Sequence, residues 1–191
     1  MIDLNGKTIM FFDLETTGTY PSHDAPVQIA AIVERDGEII DSYNTLVNTT
    51  VAIHPEASKV HGIYKHNLIN APKEKEALKD FMAWIKGNDV DVMIGYNSRI
   101  FDLAMLDARC KHFSLPSIFD GEQITHYDGY YDRVKKAKDK NLFNLKTILG
   151  RKWNLSAVST ALEIDCSGAH DAFADVNMLR LIWHKFDDAN I

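Results

Sequence analysis

Little in this chain of 191 residues points toward export, a membrane or a disulfide scaffold. It has only two cysteines, Cys110 and Cys166, with no CxxC pair and no framework spacing. No apolar run approaches the ~20 residues that cross a bilayer. The opening residues, Met1 to Lys7, lack the basic start and long apolar stretch of a secretory signal. Repeats, low-complexity tracts and linkers are missing as well. The expected setting is therefore reducing, intracellular and cytoplasmic, with no membrane partner. Positive charge is also in short supply: 21 Lys and Arg stand against 27 Asp and Glu, a net charge of -6. That excludes a protein that coats nucleic acid by bulk charge. It leaves room for an enzyme that handles one strand end.

Hydrophobic residues make up 46% of the chain and charged residues 25%. A full core can form, and residues 1–191 read as one domain. Lys7 to Asp13 reads as a strand, almost continuously apolar from Ile9 to Phe12, as suits a central strand buried on both faces. Val27 to Glu34 and Glu38 to Val47 are β-rich runs joined by Asp36-Gly37, a hairpin dipeptide. Together they predict an antiparallel three-stranded meander. Thr49 to Ala71 reads as loop with short helical pieces.

Lys73 to Lys86 is an amphipathic helix with Ala77, Leu78, Phe81, Met82 and Ile85 inward. Val90 to Gly95 is a short strand. Phe101 to His112 is a helix with Phe101, Ala104, Met105 and Ala108 as its expected inner stripe. Ser117 to Phe119 is expected as another short strand. Leu142 to Leu149 is helical, with Leu142, Leu145, Ile148 and Leu149 inward and Gly150 as its stop. Asp171 to Phe186 is the last helix, with Ala172, Val176, Leu179 and Trp183 as its stripe. A meander followed by alternating helix and strand gives an α/β fold. Its mixed sheet has parallel strands after the meander and helices on both faces.

Three short carboxylate motifs stand out. They are Phe11-Phe12-Asp13-Leu14-Glu15-Thr16-Thr17-Gly18, Gly95-Tyr96-Asn97-Ser98-Arg99-Ile100-Phe101-Asp102, and Ala169-His170-Asp171-Ala172-Phe173-Ala174-Asp175. Asp13 and Glu15, two apart on a strand, point to one face and can reach one cation. Asp102 falls at a helix start, where an acid also fits as a partner of the helix dipole. Asp175 is flanked by core positions of the last helix and needs a partner or a metal. Asp171 reads as a helix-start acid with no metal role. Four acids and one histidine, His170, are what a two-metal phosphodiesterase needs. Between Arg133 and Lys152 eight basic residues stand against one acid. That segment is either a solvated surface or a local phosphate-binding patch.

From about Thr8 to Trp183 the chain resembles the DEDDh, or DnaQ-like, 3'→5' exonucleases. This family includes the proofreading subunit of bacterial DNA polymerase III, ribonuclease T and oligoribonuclease. The Phe-Asp-Leu-Glu-Thr-Thr-Gly stretch is similar to the first family motif. Asn97 with Phe101-Asp102 is similar to the second, and His170-x4-Asp175 to the third. His61-Gly62-Ile63 and Asn70-Ala71-Pro72 resemble family segments between the first two. Two features depart from the commonest pattern: Tyr96-Asn97 where many members carry His-Asn, and a long connection from Gly150 to Gly168.

The resemblance implies an RNase H-like fold and hydrolysis of single strands from the 3' end to nucleoside 5'-monophosphates, with DNA the first expectation. Asp13, Glu15, Asp102 and Asp175 would hold two Mg²⁺ or Mn²⁺ ions, hard cations that prefer oxygen ligands. His170 would be the general base, since a histidine can take a proton near neutral pH. Thr16, Thr17, His61, Ile63, Asn97 and Lys146 are the expected substrate contacts, and Tyr20 and Tyr96 fit either stacking or core. Alternatives are an exoribonuclease of the ribonuclease T or oligoribonuclease type, a silent polymerase-binding module, and an RNase H-like endonuclease. The complete five-residue set speaks against silence, and His-x4-Asp speaks against the endonuclease. A polymerase partner and a homodimer both stay open. The short sequence after the last helix favours a stand-alone enzyme or an excised domain.

Overall fold

The computed structural model describes residues 4–118 and 124–188. Strand β1, Thr8–Thr16, runs through the centre of the sheet and is buried without interruption from Thr8 to Phe12. It pairs antiparallel with β2, Pro26–Arg35, which pairs antiparallel with β3, Glu38–Leu46. Asp36 and Gly37 close the hairpin with φ of 51° and 85°. Two consecutive positive φ values match the right-handed twist of the strands, and Gly37 adopts its value without a Cβ penalty. On the other side of β1 lie β4, Val92–Gly95, and β5, Thr125–Asp128, both parallel. The five-stranded order is β3-β2-β1-β4-β5. The mixed sheet expected from the sequence is thus present.

Alternation along β1 divides the core. Met10, Phe12 and Leu14 face helices α2, Glu74–Gly87, and α3, Asp102–His112. Ile9 and Phe11 face the other layer, built on the 17-residue helix α7, Ala172–Asp188. Burying each of these large side chains contributes roughly 1.5–3 kcal/mol. A short helix α1, Pro55–His61, sits in the connection after β3. Beyond β5 the chain makes a π-helical segment, Gly129–Val134, then α4, Lys135–Asp139, α5, Leu145–Leu149, and α6, Leu155–Ala161. Among the described residues no helix is long and apolar enough to cross a membrane.

Three expectations need correction. The α3 stripe is rotated: Asp102, Met105, Leu106, Arg109 and Cys110 are buried, whereas Phe101, Ala104 and Ala108 are only partly covered. Two charged residues occupy that inner face, which an apolar-periodicity reading discounts. Arg109 is held there by two bonds to the Glu74 carboxylate, which also accepts the Thr49 hydroxyl at 2.7 Å. Ser117 and Ile118 form no strand, and Phe119 lies outside the described residues. The fifth strand is instead Thr125–Asp128, too short and polar to announce itself. Leu142 to Leu149 is not one helix. Asn141, Phe143 and Asn144 take φ of 52°, 52° and 57°. The break leaves Ile148 57% exposed.

The Glu74–Arg109 pair joins α2 to α3 in a dry environment, so loss of one partner strands the other. Arg109→Ala is expected to cost about 3–5 kcal/mol in urea unfolding. The double change Glu74→Leu/Arg109→Met should recover most of that loss, because both charges leave together.

Candidate active site

Asp13 and Glu15 stand on the face of β1 that carries Ile9 and Phe11 and looks toward α7. Pairing of β4 with β1 ends at Phe11, so the last residues of β1 have an open flank. On that flank stands Asp102, the first residue of α3, where the main-chain N–H of Leu14 is near enough to draw its carboxyl down. Asp102 is 3% exposed.

The turn that delivers Asp102 is held by a second buried acid, Asp128, at the end of β5. Its oxygens accept the N–H groups of Asn97 at 3.1 Å, Arg99 at 3.2 Å and Tyr130 at 3.0 Å. Gly95 opens this turn, and a Cβ there would lie 2.4 Å from that of Ser98. The close approach of the two backbones therefore needs glycine.

Helix α7 supplies the rest. Asp171 caps its N-terminus, accepting the N–H groups of Phe173 at 3.1 Å and Ala174 at 3.2 Å. Asp175, one turn further on, accepts the His170 N–H at 3.2 Å. His170 itself is exposed and sits at φ of 72°, a left-handed turn just before the helix. Gln28 clamps this arrangement to the sheet. It stands directly across from Glu15 in the antiparallel ladder. Its amide donates to Asp171 at 3.0 Å and to Asn44 at 3.0 Å, and its carbonyl accepts the Ala172 N–H at 3.3 Å.

The result is a knot of like charges. Asp13, Glu15 and Asp175 each offer an oxygen within 4.8 Å of the others. Burial, then repulsion by Asp102, Asp175, Glu15 and Asp171, pushes the Asp13 carboxyl well above its ordinary range. Burial and the charges of Asp175, Asp102 and Asp171 push Glu15 up to about 8. Asp102 is raised chiefly by burial, against the pull of the backbone N–H groups of Asp102 and Leu14. Asp175 is raised by burial and drawn back by the N–H and the charge of His170. Among the described residues none of these four carboxylates makes an ion pair with Lys or Arg. Converging carboxylate oxygens without a protein cation suit a hard divalent ion, which would remove the repulsion.

The expected substrate residues divide into two groups. Thr17 is fully buried; its hydroxyl donates to Asp24 at 2.8 Å and accepts the Ala25 N–H at 3.0 Å. The Thr16 hydroxyl donates to the Gly18 carbonyl at 2.7 Å. Ile63 is 9% exposed and packs with Val27 and Leu68. These side chains hold the loop together, so their polar or apolar groups are spent within the protein. His61 has both ring nitrogens engaged, Nε2 with the Thr16 carbonyl at 3.2 Å and Nδ1 with the Ile63 N–H at 2.9 Å. One edge of the His61 ring still lines a cleft of about 460 Å³ beside Glu15, with Leu14, Tyr20, Val60 and Phe101. Asn97 is exposed at φ of 57°, and Lys146 is exposed on α5.

Gln28 and Asp128 escaped the sequence reading. Gln28 had a signal, as the one polar side chain in an otherwise apolar run from Val27 to Val33. Asp128 had none, because its partners are main-chain groups 29 and 31 residues away on one side and close neighbours on the other.

Two outcomes test this geometry. Burial and the neighbouring acids push the Glu15 carboxyl up to about 8 in the folded protein, against about 4.3 in an unfolded chain. The folded state therefore keeps a proton that the unfolded state has released. The stability this gives is complete below about pH 4 and is lost as the pH rises through 8. Metal-free protein should melt at falling temperature from pH 5 to 8.5. Saturating Mg²⁺ or Mn²⁺ should raise Tm most at the alkaline end. Equal melting curves with Mg²⁺ and with EDTA at pH 8 would rule out the cluster as a cation site. Separately, Gln28→Ala should speed amide exchange at Phe173 and Ala174 while leaving the β1 amides protected, read by hydrogen–deuterium exchange.

The geometry can now be set beside known proteins. A family model described as an exonuclease, RNase T, matches residues 10–182. The PolC-type DNA polymerase III of Oceanobacillus iheyensis is 32% identical over 182 residues, 95% of this chain and 12% of that protein. The DNA polymerase III subunit epsilon of Treponema pallidum is 35% identical over 103 residues, 52% of this chain and 46% of that protein. The crystal structure of E. coli exonuclease I with a dA16 oligonucleotide superposes with a TM-score of 0.76. It shares 22% identity and covers 96% of this chain and 41% of that one. The chain thus spans less than half the length of each of these proteins, and the structural likeness shows a shared fold. With the family model matching almost end to end, the chain belongs to the RNase T exonuclease family, the DEDDh or DnaQ-like group that its three motifs resemble.

Proposed function

We propose that this chain is a metal-dependent 3'→5' exonuclease domain, spanning residues 1–191, that shortens single-stranded DNA and releases nucleoside 5'-monophosphates. The observation that carries the reading is the convergence of Asp13, Glu15 and Asp175 with Asp102, beside a cleft of about 460 Å³. DNA is favoured by the relatives' names, which are those of DNA polymerases, and by the oligodeoxynucleotide in the exonuclease I complex. By the same analogy the setting is cytoplasmic and a polymerase is a candidate partner.

Asp13, Glu15, Asp102 and Asp175 would hold two Mg²⁺ or Mn²⁺ ions. When bound, such ions supply Lewis-acid charge at the phosphate and lower the pKa of water. The chain's own residues do the remainder. The cleft wall of Leu14, Phe101, Val60 and Tyr20 takes the terminal base and sugar, excluding water from one side of the scissile bond. His61, locked by two hydrogen bonds, gives that wall a rigid edge.

Water attacks phosphorus, and an imidazole nitrogen of His170 accepts its proton. The bond from phosphorus to the 3' oxygen of the preceding nucleotide breaks, and that oxygen is protonated from solvent. His170 suits the role because its backbone is tied to Asp175 while its ring stays exposed to pass the proton on. Gln28 keeps His170 and Asp175 in register with Glu15 through the α7 terminus.

Digestion of 5'-labelled DNA and RNA oligonucleotides tests this. A ladder on DNA that needs Mg²⁺ is expected, with Asp13→Asn or His170→Ala lowering the rate by about 10²–10³-fold. A ladder on RNA alone would move the reading to an exoribonuclease. No ladder on either, from folded protein whose Tm responds to metal, would favour a silent binding module.

A further inference from the structure

A second cleft opens on the same edge of the sheet, and nothing in the cleavage chemistry uses it. It holds about 370 Å³ between Tyr96, Asn97, Tyr130, Trp153, Asn154 and Leu155. Its position follows from topology. Tyr96 and Asn97 leave the C-terminal end of β4, and Tyr130 follows β5. Asp13 and Glu15 sit near the C-terminal end of parallel neighbour β1. Adjacent strands are ~4.8 Å apart, so β4 and β5 lie about 5–10 Å along the edge from the carboxylates. At ~3.4 Å per stacked nucleotide that is a step of about one to three residues along a strand.

The walls are aromatic and fixed before any ligand arrives. The Tyr96 hydroxyl donates to the Trp153 carbonyl at 2.5 Å. Tyr130 meets Tyr96 edge-on, with ring centroids 5.9 Å apart. The Trp153 indole donates to the Gly150 carbonyl at 2.9 Å, and the Lys138 ammonium lies 4.6 Å from its ring centroid. Rings held in this way lose little freedom when a base stacks on them.

The electrostatics around the cleft differ from those of the rest of the molecule. Arg133 is turned into the core, over Trp183 and paired with Asp187, and Lys135 pairs with Asp139. Lys136, Lys140, Lys146, Arg151 and Lys152 are exposed, with no ion pair among the described residues. A protein of net charge -6 thus keeps unneutralised cations in the segment that runs between Tyr130 and Trp153, two of the residues lining this cleft.

We propose that the Tyr96–Tyr130–Trp153 cleft is a second nucleotide subsite, which stacks a base of the strand upstream of the cleaved nucleotide while the neighbouring lysines meet its phosphates. It rests on the exonuclease reading for the direction of the strand. Aromatic faces stack any base and lysines contact any phosphate, so the subsite is tolerant of sequence and sensitive to length. Its contribution is absent for a substrate that has no upstream strand.

The experiment compares the 4-nitrophenyl ester of thymidine 5'-monophosphate with dT10, using the whole chain with Mg²⁺. Trp153→Ala should leave kcat/KM on the ester within about twofold and lower it on dT10 about 10-fold, mostly through KM. Trp153→Phe, which keeps a ring and guards against misfolding, should recover most of the dT10 value. Equal losses on both substrates, or none on either, overturn the subsite.

Fluorescence judges it independently of catalysis. Adding dT10 in EDTA should quench emission from the wild-type protein and not from Trp153→Phe. No quench, or the same quench in both, overturns the subsite whatever the activity. Wild-type protein that quenches yet cleaves neither substrate supports the subsite and overturns the exonuclease reading.

Discussion

Four carboxylates forced together in a half-dry corner are the constraint around which this structure is organised. Burial raises the free energy of each charge at Asp13, Glu15, Asp102 and Asp175, and repulsion from neighbouring acids adds to it. The four stay because each is fixed by a different rigid element. β1 is clamped between two neighbours and two layers of helices. α3 starts where the Leu14 N–H can reach Asp102. α7 is tied to β2 by Gln28. The strain is confined to one edge of the sheet, where β4 stops short of the end of β1.

Buried acids in this protein fall into two kinds, and the difference lies in their partners. Asp128 and Glu74 are as deeply buried as Asp102, but their oxygens are filled. Asp128 accepts main-chain N–H groups from two connections, and Glu74 accepts Arg109 and Thr49. Glu34, buried beneath α7, is met on one oxygen by Arg180 at 2.7 Å and His184 at 2.9 Å, while its other oxygen has no hydrogen-bond partner among the described residues. These acids join elements together. The four at the edge of β1 have few internal donors and no ion pair with Lys or Arg, and that shortage separates a site waiting for charge from a structural network. Burial alone does not make the distinction.

The same difference explains what the sequence could and could not reveal. β1, the Asp36-Gly37 hairpin and the α7 stripe were legible because period and turn chemistry act locally. The order of the acids was legible because few other arrangements place Asp-x-Glu after four apolar residues. The α3 face was misjudged because Arg109 counts as solvent-facing until Glu74, 35 residues away, comes to neutralise it. β5 was missed because Thr-His-Tyr-Asp carries no apolar pattern, and pairing with β4 supplies the order. Thr17 and Ile63, expected as ligand contacts, make intramolecular contacts with Asp24, Ala25, Val27 and Leu68. For α3 and β5 a distant partner outweighed the local signal.

The two clefts give the edge a polarity that the acidic knot lacks. On one side of Glu15 the wall is largely apolar, closed by Gly18, Tyr20 and α1. A Cβ on Gly18 would lie 2.6 Å from Asp24 and from His54, so the loop folds back tightly on itself. A phosphodiester running into that side meets a wall with little to neutralise it. On the other side, beyond β4, the wall is aromatic and borders the basic segment. On the proposed reading, a strand laid across the carboxylates would have its end toward Tyr20 and its continuing phosphates toward Lys138.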